Sequence, residues 1–432
     1  MGTQTEEVFD AIIVGGGMAG LAAAYTLASQ GAEVLLLERG DYCGAKNVTG
    51  GRMYVNPVRE MFPELWGKAP LERYIAHEEL CLMGREGSIT LRYAGRELEQ
   101  EPHQSYSILR AKFDKWLARE AEKKGAMLVA KSRVDDLIIE DRRVVGVMAG
   151  GEQLRANVVI ACDGVLSFLA QKAGLRKAGS PNTHAVGFKE IIELDREVLE
   201  NRLNLTGEEG AARLFLGDVT AGKFGGGFLY TNKDSISLGI VVGIDALSQA
   251  PAIKAPDLLE CFKQRPEVRS LIKDGNTVEY SAHVIPEGGL KTMGKLYGHG
   301  ILVAGDAAGF SMNIGVSVRG MEYALASGYY AAKAAMKAKQ SGDYSESGLA
   351  CYERFLNDSF VLQDFKNFKE SLQVLEYPGF FTHYPELAAN LMKDLYQVPA
   401  GPKDRIFPTV KKYFNLAEIW GLLKVGRRMM KI

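Results

Sequence analysis

A strand, a glycine-rich turn, a helix and a second strand, all within residues 9–38, constrain this chain more than any other feature. Phe9–Val14 is a short apolar, β-branched run that reads as a buried parallel strand. Gly15-Gly16-Gly17-Met18-Ala19-Gly20 follows at once and fits GxGxxG. Leu21–Gln30 reads as an alanine-rich helix stopped by Gly31, and Glu33–Glu38 as a second strand ending on an acid. Gly15 permits the tight turn, Gly17 lets a pyrophosphate approach the backbone beside Met18 and Ala19, and Gly20 lets helix and strand pack closely. The helix start offers unpaired N–H groups and the positive end of a dipole to phosphates. Glu38, with Arg39 after it, can accept hydrogen bonds from both hydroxyls of an adenosine ribose. An acid there disfavours a 2′-phosphate, so the ligand class is FAD or NAD rather than NADP. Residues 11–32 carry no charge and are long enough to span a bilayer, but their clustered glycines fit a strand, turn and helix better.

The remaining composition narrows the class by exclusion. A chain of 432 residues suggests two or three domains, or one with large insertions. Its 52 basic and 53 acidic residues give no global basic field, so no nucleic-acid partner is expected. Cys43, Cys81, Cys162, Cys261 and Cys351 are dispersed and odd in number, which excludes a locally spaced zinc, haem or iron–sulfur site and favours a reducing, cytoplasmic setting. The six histidines show no pair at metal-ligand spacing, so no metal is expected. The sequence contains no GxSxG, HExxH or Walker pattern, leaving hydrolase and NTPase chemistry without support, and no side chain is singled out as catalytic. Cys43, close to the ligand loop, reads as a buried, unreactive thiol.

Two later segments repeat the strand-then-turn pattern. Val158–Cys162 runs into Asp163-Gly164, and Gly300–Ala304 runs into Gly305-Asp306-Ala307-Ala308-Gly309 and a helix to about Lys339. One nucleotide domain interrupted by insertions explains three such passes. The arrangement resembles the FAD-binding fold of the p-hydroxybenzoate-hydroxylase and geranylgeranyl-reductase superfamily. The resemblance implies that Gly305-Asp306 meets the ribityl chain and that Asp163-Gly164 lies near the pyrophosphate. It also implies that Arg110, opening a helix, and the backbone at Val134 face FAD. Asn313-Ile314-Gly315 begins the last helix or lies just before it, and that helix's positive end would face the N1–C2=O side of the isoalloxazine.

Three further stretches, Gly44–Arg52, Phe224–Asn232 and Glu279–Gly289, narrow the likeness. In this order, and with the flavin motifs, the chain resembles the FixC/EtfC subunit family, relatives of electron-transfer-flavoprotein:quinone oxidoreductase, from about Phe9 to about Tyr396. The resemblance implies FAD as cofactor, a membrane quinone such as menaquinone as acceptor, and the α and β subunits of electron-transfer flavoprotein as partners in an electron-bifurcating complex. No cysteine follows Cys351, so the family's [4Fe–4S] cluster would come from a small ferredoxin-like subunit. Phe224, Gly225, Gly226, Gly288 and Gly289 match quinone-contact segments, although such glycines also serve simply as turns in a sheet. Phe224 stands where larger relatives carry tyrosine, which removes one hydroxyl. Lys46, Gly51 and Arg52 fall beside the flavin; Lys46 or Arg52 either polarises it or is a solvated charge. His283 is a proton-relay candidate or a structural histidine. The rival reading is a geranylgeranyl-reductase-like isoprenoid reductase; a hydroxylase and a flavin-bearing scaffold are more distant.

The expected fold is α/β: a Rossmann-like FAD-binding domain interrupted by an antiparallel-sheet substrate domain, with a helical C-terminal region. The FAD domain takes residues 1–80, 105–170 and 285–340; the quinone domain takes 80–105 and 180–285; the helical region takes 348–432. Two segments suit a peripheral position on the inner face of the cell membrane. Tyr377–Pro385 is aromatic enough for an interfacial loop, and Lys411–Ile432 has six basic residues, one acid and a face carrying Trp420, Leu423 and Met430. That tail lies on a membrane, on a partner, or on the protein itself.

Overall fold

The computed structural model describes residues 8–46, 51–250 and 252–431. Asn47–Gly50, part of the loop motif above, and residues 1–7 lie outside it. The apolar run at the start forms strand Val8–Val14, held in parallel between Val34–Leu37 and Glu152–Ala161. Ile301–Val303 continues the parallel sheet on one side and Met127–Val129 on the other. Val14 pairs with both Leu37 and Ala161, and Ala161 with Val303, so these strands end level. The ladder runs one residue further, with Gly15 N–H donating to Leu37 and Cys162 N–H donating to Val14. The turns after the strands therefore open at one edge, the carboxyl end where parallel sheets bind ligands.

Helix Met18–Ala28 is buried on every side, which explains its lack of a polar face. It packs between helices Arg110–Lys123 and Met321–Ser341. The opposite face of the sheet is covered by the antiparallel strands Val134–Glu140 and Arg143–Ala149, whose Leu137, Val144 and Val147 meet Ile12, Leu35 and Val159. The uncharged 11–32 segment is thus a strand, turn and helix, as its glycines indicate.

A second sheet of nine strands is antiparallel except where Glu209–Gly217 lies parallel to Tyr74–Met83. Its centre is the pair Gly225–Thr231 and Ser235–Gly243, and its edge is Asn276–Pro286 against His184–Glu193. Helices Arg196–Leu203, Ala255–Gln264 and Pro266–Ile272 bury one face around Phe215, Leu238 and Phe262. Arg52–Tyr54 and Tyr74–Met83 also belong to this sheet, although the first and most of the second fall in the 1–80 segment assigned above to the nucleotide domain. The C-terminal region is helical, from Glu346–Leu349 to Leu416–Met429.

Of the two placements read for Asn313-Ile314-Gly315, the structure has the one before the helix. Asn313-Ile314-Gly315 does not begin the long helix. A hairpin of Met312–Asn313 against Val318–Arg319 intervenes, and the helix starts at Met321. Gly315 has φ +86°, and its N–H donates to the Asn313 side chain at 2.9 Å, closing the hairpin turn and interrupting the helix.

The tightest contact in the first fold unit is backbone on backbone. A Cβ at Gly20 would sit 2.0 Å from the Gly15 carbonyl oxygen. Gly20→Ala is expected to lower unfolding free energy by about 1–3 kcal/mol, read by denaturant titration, because the helix must move off the sheet. A loss below a few tenths would show that the helix can shift freely.

Candidate FAD and quinone site

A cavity of about 680 Å³ opens at the level strand ends and runs between the two sheets. Every expected cofactor residue except Gly20 lines it. Gly15, Gly17, Met18 and Ala19 form one wall with Glu38, Arg39 and Lys46 beyond. Asp163, Gly164, Gly305 and Asp306 come from the second and third strand ends. Gly51, Arg110, Val134, Asn313 and Gly315 complete that side. Gly20 is instead the packing position described above. Phe224, Gly225 and Gly226 line the same cavity from the second sheet. Gly288 and Gly289 do not; they line an adjoining cavity of about 330 Å³. The two cavities share Phe224, Glu287, Ser311, Asn313 and Leu375 in their walls.

The polar groups along the main cavity suit an adenine dinucleotide. Gly17 caps helix Met18–Ala28 without any side-chain hydrogen bond, so the dipole end and its N–H groups are left for an anion. Glu38 is held from behind, one carboxylate oxygen accepting from Gly16 N–H at 2.7 Å and the other from Gly40 N–H. That fixes it while leaving lone pairs for two hydroxyls. Arg110 is fixed by a two-point bond to Asp114, at 2.9 and 2.8 Å. Asp163 accepts from Leu169 N–H at 3.0 Å, but its Oδ1 is buried and has no hydrogen-bond partner among the described residues. Burial raises the Asp163 carboxyl above its usual range. Burial does the same to Asp306, opposed by His283, Arg110 and Arg176. His283 is lowered by burial, opposed by Asp306. An orphaned buried oxygen, an uncapped helix start and a braced glutamate in one groove are what a bound dinucleotide would satisfy.

The surroundings of several residues decide between the alternatives read for them. Arg52 lines the cavity but is no solvated charge. Its guanidinium grips Glu78, bonds Ser105 Oγ at 3.2 Å and lies 4.3 Å from the centre of the Tyr54 ring. Lys46 is exposed at the cavity rim. Cys43 is buried under Gly16, and burial with the nearby Glu38 pushes its thiol up to about 12, so it stays neutral. Gly225 has a packing reason of its own: at φ +149° a Cβ would meet the Val241 carbonyl oxygen at 2.1 Å. Tyr377–Pro385 is not a free interfacial loop. Phe381 is buried and meets Phe224 edge to face with ring centres 5.6 Å apart, while Tyr377, Phe380 and Tyr384 pack on one another.

Glu287 was not singled out by sequence. It ends the edge strand directly after Pro286, and its Oε2 is buried without a hydrogen-bond partner among the described residues. Burial, with Glu376 adding to it and Asn313 opposing, raises its carboxyl to about 7. Between its ordinary value of 4.5 and about 7 the folded chain holds this proton and the unfolded chain does not. Stability contributed by the neutral form is therefore full below 4.5 and lost as pH rises to about 7. Glu287→Gln is expected to raise Tm relative to the parent at pH 8 and to match it at pH 4, measured by calorimetry at both; equal differences at both pH values would contradict the assignment.

Comparison with known proteins agrees with this geometry. Residues 8–200 match the FAD binding domain model, and residues 184–285 match the ubiquinone-binding model of ETF-QO. Protein FixC of Escherichia coli is 44% identical, with 98% of this chain and 99% of that protein covered. The probable electron transfer flavoprotein-quinone oxidoreductase YdiS of the same organism is 42% identical, covering 98% of each. Among solved structures, a geranylgeranyl bacteriochlorophyll reductase-like protein of Thermoplasma acidophilum superposes with a TM-score of 0.72 at 20% identity, over 97% of this chain and 100% of that one, which establishes the shared fold. The chain belongs to the FixC family of FAD-dependent oxidoreductases, kin to the electron-transfer-flavoprotein–quinone oxidoreductases.

Proposed function

We propose that this chain is the quinone-reducing subunit of an electron-transfer-flavoprotein complex, taking electrons from the flavoprotein or a small [4Fe–4S] ferredoxin-like subunit and delivering them to a membrane quinone. The observation that carries the reading is one continuous cavity with dinucleotide-type groups on one wall and the quinone-model segment on the other. When bound, FAD supplies the capacity to exchange electrons singly or in pairs. The protein's share is placement and electrostatics. The start of helix Met18–Ala28 holds the pyrophosphate, Glu38 the adenosine ribose, and Asp306 the ribityl hydroxyls, with Asp163, Arg110 and the Val134 backbone alongside. Gly320 and Met321 line the cavity at the start of helix Met321–Ser341, so that helix's positive end stabilises negative charge near the flavin ring. Phe224 offers an aromatic face to the quinone, and Gly225 and Gly226 keep that wall flat. Gly288 and Gly289 serve the adjoining cavity, through which the quinone headgroup approaches.

A quinone acceptor with a long isoprenoid tail, menaquinone or ubiquinone, places the chain at the inner face of the membrane. Among the described residues no helix is long and apolar enough to cross a bilayer. Helix Leu416–Met429, capped by Asn415 bonding Glu418 N–H at 3.0 Å, leaves Leu416, Trp420 and Leu423 more than half exposed, and Phe407 of the preceding helix is 76% exposed. Lys424, Arg427 and Arg428 lie on the same short helix. Exposed apolar side chains beside cations suit an anionic lipid surface. Electron bifurcation would make this subunit the high-potential exit of the complex.

Three outcomes are expected. First, FAD-loaded protein reduced anaerobically should regain its oxidised spectrum when a short-chain ubiquinone analogue is added; a spectrum that stays reduced overturns the proposal. Second, Phe224→Ala should lower kcat/KM for that quinone about tenfold while FAD content is kept, since about 1.4 kcal/mol of ring contact is removed. This variant is a cleaner probe than Gly225→Val, whose side chain would strike the Val241 carbonyl. Third, Trp420→Glu with Leu423→Glu should weaken sedimentation with phosphatidylglycerol vesicles at least tenfold. Vesicle binding that persists while the flavoprotein subunits no longer co-purify would assign this helix to a partner instead.

A further inference from the structure

Reduction of a quinone to its quinol consumes two electrons and two protons, so the site needs a group that delivers protons to the ring oxygens. This inference rests on the proposed quinone site. We infer that Glu287 is the proton donor of that site, its carboxyl O–H breaking as the quinone oxygen forms its own O–H. The electrons come from the bound cofactor. The carboxylate would regain its proton from the acid of the bulk solution by way of the smaller cavity, and a second round would deliver the second proton.

Position carries the argument. Glu287 stands in the partition between the two cavities, so one carboxyl can face the quinone on one side and a water route on the other. It immediately precedes Gly288-Gly289, and Phe224 stands in the same partition, which puts it between the two expected quinone-contact segments. Its main chain is pinned, the N–H donating to the Thr183 carbonyl at 2.9 Å, so the side chain is presented from a fixed strand end. Its Oε2 has no hydrogen-bond partner among the described residues and is shielded from water, the condition in which a carboxyl keeps its proton. Asn313, itself closing the hairpin turn, supplies the other side chain that touches it.

The alternatives in the walls fit the task less well. His283 faces the main cavity, but burial disfavours its charged form, which makes it a poorer store for the transferred proton. Asp306 has His283, Arg110 and Arg176 near it, all of which favour its ionised form over the protonated one. Arg319 on the main-cavity side is engaged by Glu322 and Asp364. On the smaller cavity, Lys291, Lys369 and Glu376 stand at the walls, and Glu376 is the charged neighbour that most disfavours ionisation of Glu287.

The test uses FAD-loaded full-length protein and two acceptors: a short-chain ubiquinone analogue, which needs protons, and ferricenium, which takes electrons alone. Glu287→Gln is isosteric with the protonated acid, and its FAD content is measured from the absorption spectrum. The expected result is a fall of about a hundredfold in the ratio of quinone to ferricenium turnover. Glu287→Asp should recover part of the ratio with a displaced pH profile. An infrared difference spectrum should contain a protonated-carboxyl band that disappears in Glu287→Gln and titrates near pH 7. A Glu287→Gln protein with the parent's ratio and pH profile overturns the proposal alone. Parent protein that reduces ferricenium but no quinone overturns the functional reading, and this proposal with it.

Discussion

The level ending of three parallel strands is the constraint on which the rest depends. Because Val14, Ala161 and Val303 stop in register, three turns far apart in sequence emerge side by side: Gly15–Gly17, Cys162–Gly164 and Ala304–Asp306. Backbone sterics enforce the arrangement. A Cβ at Gly15 would meet the Cys162 carbonyl oxygen at 2.2 Å, so the first and second turns touch main chain to main chain. The third turn is tied in by Gly305 N–H donating to Ser327 Oγ at 2.9 Å on the long helix. A groove built this way is rigid before any ligand arrives, which limits the ordering cost of binding.

The second sheet serves as the opposing wall rather than as an independent module. Its strand Arg52–Tyr54 comes directly from the loop that leaves the nucleotide side, and Arg52 is locked to Glu78 of the same sheet. Both sheets contribute residues to the same cavity, and Phe381 from the helical region closes against Phe224. The C-terminal region is consequently connected to the Phe224 wall of the cavity through aromatic contacts, with Arg428 lying 4.9 Å from the centre of the Tyr377 ring. Docking of the last helix on a membrane or a partner would therefore be felt near Phe224.

Legibility followed the range of the interactions. The glycine motif, Glu38 and the DG and GD turns are local signals, since each encodes its own backbone geometry, and the cavity gathers them. The hairpin before the long helix was missed although Asn313 and Gly315 are turn residues, because two-residue strands show no periodicity. Arg52 read equally as solvated because its partner lies 26 residues away on another strand. The aromatic run Tyr377–Pro385 suggested an interface, but aromatic content does not say whether the rings meet lipid or each other. Glu287 carried no sequence signal beyond one acid at the end of an apolar strand.

Among the described residues, the two carboxyl oxygens that are buried without partners both stand at the cavity. Asp163 Oδ1 and Glu287 Oε2 are buried without partners among the described residues, and Asp306 and His283 are both driven toward neutrality by burial. Away from the cavity Arg59 Nε, His103 Nδ1, Arg143 Nε and Asn232 Oδ1 are also buried without a partner among the described residues, but the buried carboxylates and the largest buried cation there are met. Arg73, fully buried, bonds Asn232, Gly207, Glu209 and Glu200. A chain able to satisfy Arg73 so completely has no packing reason to leave carboxyl oxygens bare beside a cavity. Unpaired acids there are stable only as neutral groups or when a ligand completes their bonds. Either state suits the proposed site, in which cofactor hydroxyls would be bound at one end and a proton moved at the other.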